Sequence, residues 1–155
     1  RRHTVCQGDW SQHGCASDLV KNTNAVSGTI IVTLSRLAGN SNGGIWEATS
    51  VTSHGMSITS PQERTRLSSP TAVTGSGNAF EAVIGRVFVL DHLYTDIGHA
   101  DARGVIGNGN TTFSTSVTYT PTFKNGTEEG VLVLYRYSNG KGSISGSVMI
   151  KEKIG

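Results

Sequence analysis

Asp91, His92, Asp96, His99, Asp101 and Arg103 crowd into one short stretch of the 155-residue chain. In such a set Asp96 or Asp101 can orient His99 as a base for a Ser or Thr nucleophile. Asp96, His99 and Asp101 can equally be read as ligands for a metal ion. Neither constellation is complete. No GxSxG elbow places a serine on a strained turn, and the usual zinc and calcium spacings are absent. Gly and Ala punctuate the run DIGHADARGVIGNGN, so these residues read as the solvating groups of an exposed loop. The expectation is a chain that is not an enzyme, with no catalytic residue, no metal and no cofactor.

Three other groups carry candidate chemistry. Glu81 follows Phe80 at the start of a long strand pattern, where a carboxylate is partly buried and needs a partner or donors. Arg86, Arg103, Arg136 or backbone N–H groups can supply them, and Glu81 reads as a structural carboxylate before it reads as a ligand group. Trp10, Tyr94, Tyr119, Tyr135 and Tyr137 are aromatic groups able to stack on sugars. Tyr135 and Tyr137 share a strand face as i and i+2, and with Trp10 they form the candidate ligand-binding set. Cys6 and Cys15 bracket the turn-rich QGDWSQHG, which allows the Cα approach of about 4.4–6.8 Å that a disulfide needs. A disulfide closing a small loop is expected; the alternative is a metal site with His3 or His13.

The elements that must position these groups read as strands. Alternation marks TIIVTLSRL (29–37) and IWEATSVTS (45–53), separated by a Gly/Asn/Ser loop, as a hairpin. A short strand follows at 56–60, then a polar connector bracketed by Pro61 and Pro70, which cannot donate to a ladder. The next pieces are a strand at 71–75, a small-residue kink at Ser76-Gly77-Asn78, and a long strand at 79–91. In that long strand Val83, Gly85, Val87 and Val89 point one way, and Ile84, Arg86, Phe88 and Leu90 the other. A strand broken by a bulge, then a loop, occupies 95–109. TFSTSVTYTPTF (112–123) alternates clearly, KNGTEEG carries an Asn-Gly turn, and VLVLYRY (131–137) reads as a central strand. Residues 143–152 close the sheet. About seven strands lie beyond residue 55, the number an immunoglobulin-like sandwich requires.

Composition agrees with that class. Hydrophobic residues make up 35% and charged residues 15% of the chain, the latter well under the usual ~25%. Ser, Thr and 20 Gly fill the difference, a mixture suited to short strands and tight turns. A net charge of +2 without a basic stripe interleaved with aromatics argues against nucleic-acid binding. No apolar run approaches the ~18 residues of a membrane span. The chain opens on Arg1-Arg2 without a signal peptide, and the expectation is an exported product whose targeting segment is absent from this sequence.

The run ITSP…LSSPTAVTGSGNAFEAVI, followed later by YSNGKGSISGSVMIKEK, resembles the immunoglobulin-like domain of bacterial spore-germination and related surface proteins, the Gmad2 family. The matching features are Ser60-Pro61, Ser69-Pro70, Val73-x-Gly75, Phe80-Glu81, the aliphatic strand at 131–134 and Ser138-Asn139-Gly140. They span roughly residues 56–152. The resemblance implies an all-β, immunoglobulin-like antiparallel β-sandwich outside the membrane, a Glu at position 81, and no established catalytic residues.

Two units are therefore expected: an extension over 1–54 containing the hairpin, and a sandwich over 55–155. An isolated hairpin is marginal in water. Residues 1–54 either add strands to the sandwich, pair with another molecule, or are the remnant of an upstream domain, the origin that GGIWEATSVTS favours. The expected function is non-catalytic: protein–protein assembly or adhesion at a bacterial surface or outside the cell, with other protein chains or further copies of this chain as partners, in a filament for example. The alternative is a module binding cell-wall glycan or a small ligand.

Overall fold

The computed structural model describes residues 15–20, 30–40, 43–79, 82–105, 109–123, 125–138 and 144–155, with only the backbone at 15–20, 40 and 43. Eleven strands and no helix occur among them: β1 (Cys15–Val20), β2 (Ile30–Asn40), β3 (Gly43–Ser53), β4 (Met56–Ser60), β5 (Arg66–Leu67), β6 (Thr71–Ala79), β7 (Val83–Leu90), β8 (Asp96–Arg103), β9 (Gly109–Val117), β10 (Glu128–Tyr137) and β11 (Ile144–Ile154). No helix among the described residues is long and apolar enough to cross a membrane.

The chain is a β-sandwich. One sheet runs β1-β2-β3-β11-β10-β7-β8, with the two-residue β5 added in parallel to β11; the other is β4-β6-β9. All other pairings are antiparallel. The chain passes repeatedly between the sheets, from β3 to β4, β6 to β7, β8 to β9 and β9 to β10 among other places, the two-sheet arrangement of immunoglobulin-like domains. Pro61 and Pro70 stand immediately outside β4 and β6, where no ladder donor is required; both follow cis peptide bonds.

Alternation decides which side chains meet between the sheets. Leu132 and Leu134 of β10, Val87 and Val89 of β7, and Val148 and Ile154 of β11 turn inward against Val73 of β6 and Phe113 and Val117 of β9. The opposite face of β10 and its neighbours carries a second cluster: Leu90, Val131, Val133 and Met149, packed with Phe88, Tyr135 and, from β3, Ala48 and Val51. Strand β10 lies between β11 and β7, the central place its apolar sequence predicted.

Two readings of the sequence are corrected. The small-residue run Ser76-Gly77-Asn78 is no kink: β6 continues through it to Ala79, and the break lies between β6 and β7. The glycines serve close approach. A Cβ at Gly75 would meet the Ser57 carbonyl and the Phe113 ring, and one at Gly77 would meet Ile84. Further along, Ile84 is fully buried in the core together with Val87 and Val89, not on the face of Arg86 and Phe88. A register shift between Val83 and Gly85 turns it inward.

The β2–β3 hairpin continues the large sheet. Val51 pairs with Met149 of β11, and the Ser147 N–H donates to Ser53 Oγ at 2.9 Å in a buried position. Of the three arrangements open to the sequence, the described strands take the first: they extend the sandwich.

Candidate functional site

The acidic and imidazole residues of 91–103 do not form one constellation. The β7–β8 turn is held by Asp91, whose Oδ1 accepts the N–H groups of Leu93 and Thr95, both at 2.9 Å. The Thr95 bond, opposed by burial and aided by Leu93, holds the Asp91 carboxyl below the usual carboxylate range. Asp96 caps its own strand by accepting the Gly98 N–H at 3.0 Å, while His99 Nδ1 lies 2.8 Å from its other oxygen. Asp101 accepts from Arg86 Nε at 2.9 Å and Arg103 at 3.1 Å; the Arg86 bond is the main reason its carboxyl titrates low. His92 faces Glu128 at 2.5 Å. No three His, Cys, Asp or Glu side chains among the described residues come together as metal ligands.

Glu81, Phe80, Cys6 and Trp10 lie outside the described residues, and Cys15 is placed by its backbone alone, at the start of β1. Of the arginines offered as partners to Glu81, Arg86 and Arg103 bond Asp101, and Arg136 Nε donates to Ser145 Oγ at 3.3 Å. Tyr135 is half-buried and Tyr137 exposed. The Tyr135 ring packs against Phe88 with centroids 5.6 Å apart, and Phe88 packs in turn against His99 at 5.4 Å. The planes are inclined by 59° and 44°, so the rings pack on one another instead of forming a flat platform.

Two buried ionisable residues escaped the reading of the sequence, both on β11. Lys151, 8% exposed, lies on the outer face, where its ammonium donates to Glu47 of β3 and to Glu129 of β10, the latter at 2.8 Å. Burial works against the charge, but the Glu129 and Glu47 bonds outweigh it and hold the lysine pKa above its ordinary value. The three side chains bolt the hairpin to the sheet and line a cleft of about 130 Å³ together with Asp91, His92 and Tyr94. Glu152 turns the other way. It is 1% exposed on the interior face, and neither carboxylate oxygen finds a hydrogen-bond partner among the described residues. Burial, reinforced by Glu63 and only partly relieved by the Thr65 N–H, pushes its pKa up to about 7. The signal was available: in VMIKEKI the interior positions run Val148, Ile150, Glu152, Ile154.

The hairpin leaves several apolar side chains in water. Leu37, Ile45 and Trp46 are 62%, 64% and 42% exposed, and the Arg36 guanidinium sits 5.8 Å from the Trp46 ring centroid. Ile31 on β2 is exposed as well. None of the aliphatic side chains described on β2 and β3 is fully buried. Comparison with protein-family models, with curated proteins and with solved structures finds no match to this chain.

Proposed function

We propose that this chain is a non-catalytic β-sandwich module of an extracellular or bacterial cell-surface protein, of the Gmad2 immunoglobulin-like type, that works by protein–protein assembly or adhesion. The observation that carries the reading is the hairpin: two eleven-residue strands joined to the sandwich edge, with Leu37, Ile45 and Trp46 left in water. Exposed apolar side chains on both faces of one hairpin suit an element that a partner covers, and Trp46 with Arg36 supplies the residue types that dominate protein interfaces. The separation of the acids and histidines into pairs supports a non-catalytic role. Light scattering on the intact, non-reduced chain tests the proposal, alongside the same chain with Leu37→Ser and Trp46→Ser and a form lacking residues 1–53. Assembly that the substitutions reduce in size is the expected result; a monomeric intact chain at high concentration overturns it.

A second reading, a glycan-binding module, draws on Tyr135, opposite Arg86 of the Arg86–Asp101 pair, and on the exposed Tyr137 two residues further along β10. It predicts retention on peptidoglycan or a glycan array that Tyr137→Ala abolishes, and it falls if neither binds.

A further inference from the structure

A sheet edge presents unpaired N–H and C=O groups, and monomeric proteins blunt such edges with charges, proline, bulges or short strands. Among the described residues the sheet edges follow that rule with one exception. Strand β4 is five residues long, carries a register shift between Ile58 and Ser60, and ends at Pro61. Strand β8 carries Asp96, His99, Asp101 and Arg103 and two register shifts against β7. Strand β1 has Asp18 and a register shift beside it.

Strand β9 has none of these devices in its own residues. Strand β8 and the glycine after it approach its inner face and its C-terminal end, where Gly104 lies against Thr111, Gly98 lies against Thr118 and Tyr119, and the Thr120 N–H donates to the Ile97 carbonyl at 3.1 Å. Its nine residues, GNTTFSTSV, contain no charge and no proline. They pair with β6 in one unbroken register from Thr71–Val117 to Ala79–Gly109. No backbone hydrogen bond outside that ladder involves residues 109–117 among the described residues. Asn110, Thr112, Ser114 and Ser116 are exposed on its outer face, and Phe113 and Val117 are buried on its inner face.

The same sheet shows which chemistry suits that edge. On its outer face hydroxyls already meet across strands: Ser57 Oγ to Ser76 Oγ at 2.9 Å and Thr59 Oγ1 to Thr74 Oγ1 at 3.0 Å. The next residues in those rows are Thr112 opposite Ser76 and Ser114 opposite Thr74. A further strand bearing Ser and Thr continues the rows. Strand β9 itself is such a strand, and having no charge it meets no like charge when paired with its own copy.

We propose that β9 is a self-association edge, at which β9 of a second copy of this chain adds antiparallel about a two-fold axis to join two three-stranded sheets into one. Full overlap of the strands centres the pair on Phe113. Thr112 then lies opposite Ser114 of the partner subunit, and Asn110 opposite Ser116 of the partner subunit, on the outer face. Thr111 meets Thr115 of the partner subunit on the inner face. Main-chain bonds supply the affinity and the alternating side chains the register. The inference rests on the assembly reading above, because it names a partner for that assembly. It uses a surface distinct from the hairpin.

The test is sedimentation of the full chain over a range of concentrations, as wild type and with Ser114→Lys, and with Thr112→Lys as a second edge variant. Both positions point to solvent, so the urea midpoint should stay unchanged while self-association weakens about tenfold or more. A register readout accompanies it: an oxidised mixture of Thr112→Cys and Ser114→Cys chains gives a dimer cross-linked through those two positions, located by peptide mass. Assembly that both lysine variants leave intact, but that Leu37→Ser with Trp46→Ser abolishes, overturns the β9 edge and leaves the assembly reading standing. A monomeric wild type overturns both.

Discussion

Glu152 and Asp91 show how little a carboxylate's identity says without its surroundings. Both are buried by accessible surface, yet they titrate in opposite directions. Asp91 is fed by the Thr95 and Leu93 N–H groups and is held low. Glu152 is buried with neither oxygen fully hydrogen-bonded, the nearby Thr65 N–H offsets its burial only in part, and it is pushed up to about 7. The Thr65 amide near Glu152 donates to the Gln62 carbonyl at 3.2 Å. The β4–β5 connector adds the Glu63 charge, which raises the pKa further, and carries the exposed Arg64, followed by the exposed Arg66 of β5. From β10 the opposite residue is the uncharged Gly130, and the flanking Lys151 is engaged on the outer face. The sign follows from linkage. Between about 4.5, the unfolded value, and about 7 the folded chain keeps a proton that the unfolded chain has released, so stability falls as pH rises through that window and levels off above it. The full span is on the order of 3 kcal/mol. Urea unfolding at pH 5 and pH 8 should therefore show Glu152→Gln gaining on the parent chain as pH rises, and a gap independent of pH removes the assignment. Asp91 and Asp101 act in the other sense, with stability present at neutral pH and lost as acid protonates them.

Among the elements, β6 and β11 carry the informative departures. The sequence Thr71–Ala79 offered two roles for its glycines: a break in the strand, or close packing inside it. Local pattern does not choose between them. The choice belongs to β4 and β9, which place the Ser57 carbonyl and the Phe113 ring against Gly75. Gly75→Ala forces a backbone carbonyl aside and should cost about 2–3 kcal/mol in chemical denaturation; a change under half that would mean the sheets tolerate separation there. In β11 the alternating sequence sends Lys151 out and Glu152 in. The outward lysine couples three strands through Glu47 and Glu129. Both of those acids reach water at least in part, so Lys151→Met strands neither fully and should cost only about 1–3 kcal/mol. The loss should be concentrated at the hairpin, seen as faster amide exchange in β3 than in β10. Uniform change across both strands contradicts the bolt.

For the molecule as a whole, the sandwich closes its own core while the hairpin and β9 remain open to others. If Leu37, Ile45 and Trp46 drive assembly by apolar burial, self-association should persist in high salt, since screening acts on charges and not on apolar contact; dissociation by salt points to the ion pairs instead. What the sequence determined by itself was the strand inventory. Period-two alternation, Pro61 and Pro70 at strand ends, and Asn125-Gly126 before β10 are local properties, and they placed the all-β class, one end of several strands and the central position of β10, but not the two-residue β5 or the full extent of β6, β8 and β9. Which strand lies beside which, and which face turns inward, depends on pairings tens of residues apart. That is why the hairpin's union with β11, the inward turn of Ile84 at a register shift, the division of the 91–103 residues into separate pairs, and the uncharged edge of β9 emerged only when the sheets were assembled. Glu152 stands between the two cases: its alternation was written in the chain, but the incomplete hydrogen bonding of its carboxylate is a property of the packed core.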